Sequence, residues 1–193
     1  MSATLVTDPR LARLVTELEQ LVEREHDEHV LTGLVAERLH AALADGIDLP
    51  DDVTRPGADR YVMYPLHVDP AGRFSIASAV WNVGQGTPVH GHETWGVVGI
   101  HAGVEHEISF EKPAHPGVPL VENGVHDWAP GEVTICCTTD DDVHQVFCSG
   151  EQPCVGIHVY GADIGTLRRR SYQPETGEVS WFVSTWTEPG TPR

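Results

Sequence analysis

Apolar residues recur at helical spacing near the N-terminus: Leu11, Leu14, Val15, Leu18, Leu21 and Val22, with Glu17, Glu19 and Arg24 between them. A second run follows at Val30, Leu31, Leu34, Val35, Leu39, Ala42 and Leu43, with Asp27 placed to cap its start and Gly46 to end it. The pattern predicts two amphipathic helices within residues 8–45, laying an apolar stripe on something larger. After Pro50 the period changes. From Tyr61 onward, short runs alternate and are broken by Gly and Pro: Phe74 to Trp81, Gly103 to Phe110, Val133 to Cys136 and Val155 to Tyr160. Many short strands with turn signals at roughly 8–12-residue spacing predict an antiparallel sandwich or barrel. Pro113 to Pro119 reads as a loop, Gln173 to Gly177 as a turn, and Val179 to Trp186 as a last strand. No repeat or long linker divides the chain. The expectation is one mainly β domain over residues 1–193, with its barrel at about 60–186.

Composition narrows the function. The 193 residues carry 12 Lys+Arg and 29 Asp+Glu, a net charge of −17. Such a surface repels phosphate backbones and anionic lipid, so neither nucleic acid nor a membrane surface is an expected partner. No apolar run reaches the ~18 residues of a membrane helix. The first residues lack the basic-then-apolar pattern of a signal peptide, which points to the cytoplasm. Cys136, Cys137, Cys148 and Cys154 form no C-x-x-C pair, and buried thiols are the expectation. Twelve histidines equal all the Lys and Arg together.

Several fall in one stretch, Gly84-Gln85-Gly86-Thr87-Pro88-Val89-His90-Gly91-His92-Glu93-Thr94-Trp95-Gly96, which continues to Gly103. His90 and His92 are two apart, so a strand puts both imidazoles on one face. Converging neutral imidazoles suit a divalent transition metal. Glu93, one residue on, points to the other face. The spacing from Gly84 through the two histidines to Gly103 resembles the first motif of the cupin superfamily, whose fold is a double-stranded β-helix (jelly-roll barrel). That motif's glutamate falls on Gly96. His144, after the turn-like Pro130-Gly131-Glu132 and the run Asp140-Asp141-Asp142, is the candidate third ligand. The acidic run itself reads as a solvated turn.

Val155 to Gly165, with Gly156, His158 and Tyr160, and Thr87 to Gly99 further resemble the cysteine-dioxygenase-like thiol dioxygenases, especially the bacterial branch with the 3-mercaptopropionate dioxygenases. Tyr61 to Asp69 and the helix pair are similar too. The resemblance implies Fe(II) on His90, His92 and His144, with His158 and Tyr160 as two members of an outer Ser-His-Tyr triad. It implies a small thiol, cysteine or a relative, oxidised by O2 to a sulfinic acid, and a possible homodimer.

The sequence departs from that pattern at four places. The triad serine is Gly156, and the family's H-D-H is His90-Gly91-His92. The carboxylate-holding Arg or Gln two residues after Tyr61 is Met63, and an expected Asn is Cys148. The cross-linking cysteine of mammalian relatives falls on Gly96, so no cross-link is expected. A buried substrate carboxylate needs a charged or hydrogen-bonding partner. Arg169 and Arg73 are the candidate replacements for Met63, and His67 lies near the expected substrate side. Two alternatives stay open: a divergent oxygenase that carries cysteine oxidation further with carbon loss, and a non-redox cupin metalloenzyme or ligand-binding protein.

Overall fold

The computed structural model describes residues 8–137 and 142–190. Helix α1 (Pro9–Arg24) starts where Asp8 accepts hydrogen bonds from the N–H groups of Arg10 and Leu11, at 2.7 and 3.2 Å, with proline in the first turn. Helix α2 (Glu28–Ala44) is capped in the same way by Asp27, as the sequence predicts, and the chain leaves it through Gly46. Leu11, Leu14 and Leu18 of α1 and Leu31, Val35 and Leu39 of α2 are buried, each contributing about 2 kcal/mol by leaving water. Val30 is instead half exposed, so α2 is less one-sided than its spacing suggests. A single 3-10 turn at Asp51–Val53 leads into the sheets.

Eleven strands follow among the described residues: β1 (Val62–Val68), β2 (Ser75–Trp81), β3 (Val89–His90), β4 (Gly96–Ala102), β5 (Glu105–Phe110), β6 (Glu122–Trp128), β7 (Val133–Cys137), β8 (His144–Cys148), β9 (Cys154–Tyr160), β10 (Arg169–Tyr172) and β11 (Val179–Phe182). They form two antiparallel sheets, a five-stranded one in the order β1-β2-β9-β4-β7 and a six-stranded one in the order β11-β10-β3-β8-β5-β6. The fold is thus mainly β, a double-stranded β-helix with two helices at its N-terminus. No described helix is long and apolar enough to cross a membrane.

The five-stranded sheet is covered on both faces, and β2 and β9 are buried at every position. Helix α2 packs on β4 with Leu39 and Leu43 against Gly99. The six-stranded sheet is wetter. Its edge strand β6 is exposed at every position but Trp128, and its Glu-Asn-Gly-Val-His-Asp-Trp sequence gives no apolar alternation to read. The last strand ends at Phe182 rather than Trp186. Beyond it the chain turns back, where Thr187 N–H donates to the Met63 carbonyl at 2.8 Å and the Trp186 indole to Asp163 at 2.9 Å.

Candidate active site

His90 ends β3 and faces His144 of β8 as a cross-strand pair, and His92 lies just past β3. The three ring centroids are 4.7 to 4.9 Å apart, and one ligand nitrogen from each ring lies within 4.8 Å of the others. The rings are 5, 1 and 5% exposed. The Nδ1 of His90 pairs with the Pro88 carbonyl at 3.0 Å, and the Nδ1 of His144 with Glu107 Oε1 at 2.6 Å. An Nδ1–H committed outward leaves the Nε2 lone pair for the centre, which is how outer partners orient metal-bound imidazoles. Burial, and then the neighbouring imidazoles, hold His90 and His92 well below the usual histidine range. Buried and mutually close, with His90 and His92 held neutral and His90 and His144 oriented from outside, the three residues fit a divalent transition metal.

The pairing is held from outside. Asp142 accepts from the His92 N–H at 3.1 Å and from the Glu93 N–H at 3.4 Å, and is itself bound by Lys112 at 3.0 Å. Asp142 is 2% exposed, so the solvated-turn reading fails for it; Asp140 and Asp141 lie outside the described residues. A Cβ at Gly91 would sit 2.8 Å from Asp142 Oδ2, which accounts for the glycine between the two histidines. Glu93 turns away in a left-handed conformation (φ 59°), and its carboxylate takes Arg170 in a two-pronged ion pair.

A small cavity opens on the three imidazoles between the two sheets. Met63, Ala79, Val98 and Val146 line it with apolar surface, and Tyr61, Tyr160, His158 and Arg169 add polar groups. Tyr160 stacks on His92 with ring centroids 5.3 Å apart, and its hydroxyl lies 2.8 Å from His158 Nδ1. Burial, then His144 and Arg169, push His158 down to about 3, so it is a neutral ring. The sequence-derived residues His90, His92, His144, His158, Tyr160, Tyr61, Met63 and Arg169 therefore gather around one space.

Arg73 does not join them. It closes the β1–β2 turn, giving Nη2 to Asp69 Oδ1 at 2.7 Å and Nε to Asp69 Oδ2 at 2.9 Å. This guanidinium holds the Asp69 carboxyl down at about 2. With its charge already answered, Arg73 has nothing to offer a substrate in the cavity. His67 also lies elsewhere, clustered with Glu19 and Asp69 and packed on Phe74. Cys148 and Cys154 are buried as expected, each donating to a carbonyl, and burial pushes the Cys154 thiol up.

Arg169 is 2% exposed and has no carboxylate at ion-pair distance among the described residues. One nitrogen donates to Ser184 Oγ at 2.5 Å, the same hydroxyl that meets Tyr61 at 2.6 Å. Its Nε has no partner, and its charge lies 4.7 Å from the Phe182 ring centre. A buried cation in this state is an anion site in waiting.

Two carboxyl groups of β5 were missed in the sequence. Glu107 accepts from His144 and, at 2.6 Å, from the Trp128 indole. Burial pushes its carboxyl up, but these hydrogen bonds and the nearness of His144 outweigh it, and the net shift is down. Glu105, 2% exposed, is driven up to about 8 by burial and then by Glu107. Two glutamates at i and i+2 of a strand share a face, and that was the available signal. Folded Glu105 keeps a proton that the unfolded chain releases above about 4.5. Stability is therefore greatest below that pH and declines as pH rises through about 8. Glu105→Gln removes this slope. Thermal melts of metal-free protein between about pH 5 and 9 will show the variant gaining on the parent by on the order of 4 kcal/mol at the alkaline end.

No protein-family model matches the chain. Among solved structures, it is similar to a conserved protein with a double-stranded β-helix domain from Klebsiella pneumoniae (15% identity over 70% of this chain and 96% of that one, TM-score 0.46). It is also similar to the DMSP lyase of Ruegeria pomeroyi (20% identity, 83% and 95% covered, TM-score 0.44). A cupin 2 conserved barrel domain protein from Salinispora arenicola is a third (15% identity, 61% and 88% covered, TM-score 0.43). Identities this low leave the chemistry to be read from this chain's own residues.

Proposed function

We propose that the chain is an Fe(II)-dependent dioxygenase that adds both atoms of O2 to the sulfur of a small, carboxylate-bearing thiol, giving a sulfinic acid. His90, His92 and His144 hold the metal. Iron there supplies the electron exchange between a thiolate and O2 that side chains alone cannot provide. The observation that carries the reading is Arg169, a buried guanidinium with an unpartnered Nε in the same cavity as the three imidazoles. It binds the substrate carboxylate, the role the resemblance assigns to the position that Met63 fills here. Ser184 steadies Arg169 and Tyr61 together. Met63, Ala79 and Val98 exclude water, so the ion pair forms in a low-dielectric space. Tyr160 donates from the side of His92 toward the reacting oxygen atoms, and His158 orients it.

An oxygen electrode tests the proposal on iron-loaded protein with cysteine, 3-mercaptopropionate and cysteamine. One O2 is consumed per carboxylate-bearing thiol, the product gains two oxygen atoms, and cysteamine reacts poorly. A product that has lost carbon supports the divergent oxygenase instead. Turnover that persists without oxygen overturns the redox reading in favour of a metal acting as a Lewis acid.

A further inference from the structure

Gly156 stands where the resemblance puts a serine two residues before His158, and the space it leaves is not empty. A Cβ there would lie 2.5 Å from His158 Nε2 and 2.7 Å from Glu105 Oε1. Both atoms are buried, and neither has a hydrogen-bond partner among the described residues. Two unsatisfied polar atoms flanking one small volume, one an acid and the other a base, are complementary.

We propose that Glu105 is the positioning residue of His158, donating its carboxyl O–H to Nε2 through one water beside Gly156. The proposal rests on the role given above to Tyr160. With Nε2 accepting, the ring's proton sits on Nδ1 and is donated to the Tyr160 oxygen at 2.8 Å. Tyr160 then turns its own O–H toward the cavity, beside His92. Without a donor at Nε2, the ring is free to carry its proton there. Nδ1 then accepts from Tyr160, and the phenol presents only lone pairs to the reacting atoms. Glu105 acts through His158 to decide which face the phenol shows. The burial that keeps its carboxyl protonated near neutrality is consistent with a donor. A serine at position 156 would occupy the same volume, so the glycine and the glutamate belong together.

Nitrogen-15 spectra of histidine-labelled, metal-free protein test this, with the His158 signals identified by their loss in His158→Asn. In the parent, His158 carries its proton on Nδ1. Glu105→Leu, an apolar replacement of similar size, moves it wholly or partly to Nε2. Glu105→Gln, whose amide can still donate, restores Nδ1–H. In oxygen uptake, Glu105→Leu lowers kcat about 10- to 100-fold with little change in KM, and Glu105→Gln recovers most of it. A parent protein protonated at Nε2, or an unchanged tautomer in a folded Glu105→Leu, overturns the proposal. The parent spectrum decides even if the leucine variant does not fold. Absence of oxygen uptake in every form defeats the dioxygenase reading and leaves the tautomer result standing.

Discussion

His92→Ala loses both metal and turnover. The centre has three imidazoles and, among the described residues, no carboxylate placed to take over from one of them. Glu93 is committed to Arg170 on the far side, Gly96 has no side chain to offer, and Glu107 is spent on His144. Two remaining imidazoles hold a divalent ion far more weakly than three. Iron affinity falls by more than about 100-fold, beyond the 10- to 100-fold that outer partners of a ligand contribute. Metal analysis after dialysis and oxygen uptake read the two losses. The fold survives, because Asp142 grips the backbone N–H of residue 92 rather than its ring. A variant that keeps full metal content removes His92 from the centre.

Arg169→Leu raises KM for a carboxylate-bearing thiol by about 30- to 1,000-fold, the range for losing a buried charge-assisted pair. The value of kcat at saturation changes much less, because the ion pair is made before and during reaction alike. Thiols without a carboxylate lose nothing. The same substitution raises thermal stability, since the parent buries a guanidinium with an unpartnered nitrogen and no counter-charge among the described residues. Steady-state kinetics on cysteine and cysteamine, with melts of the substrate-free proteins, separate these effects. Equal loss on both thiols places Arg169 outside carboxylate binding.

The barrel and the His90–His92 pair were legible because both rest on local spacing, whereas His144 came from far along the chain and only through the resemblance. His90 and His92 are two apart at the end of β3, the runs around β2 and β9 are nearly continuous apolar residues, and Asp27 precedes α2 in the capping position. His158 and Tyr160 share a face for the same reason. What stayed hidden depends on contacts distant in sequence. Arg73 and Arg169 look alike in a one-dimensional reading, and only the fold gives the first to Asp69 and leaves the second without a carboxylate. Asp142 belongs to an acidic run that composition assigns to solvent, yet it lies 50 residues from the backbone it caps. Glu105 and Glu107 escaped because charged residues on a strand ordinarily mark its wet side, and here β5 points them inward. Strand β6, exposed along nearly its whole length, has no apolar face to announce it.

The division of labour between the two sheets has a mechanical consequence. All three imidazoles, Arg169 and both inward glutamates hang from the six-stranded leaf or the turn beside it, whereas His158 and Tyr160 hang from the leaf clasped by the helices. The reaction space is the gutter of an open book. A slight parting of the covers draws the phenol away from the three imidazoles without breaking a rung in either ladder, so mild denaturant silences such a molecule while its strands are still intact.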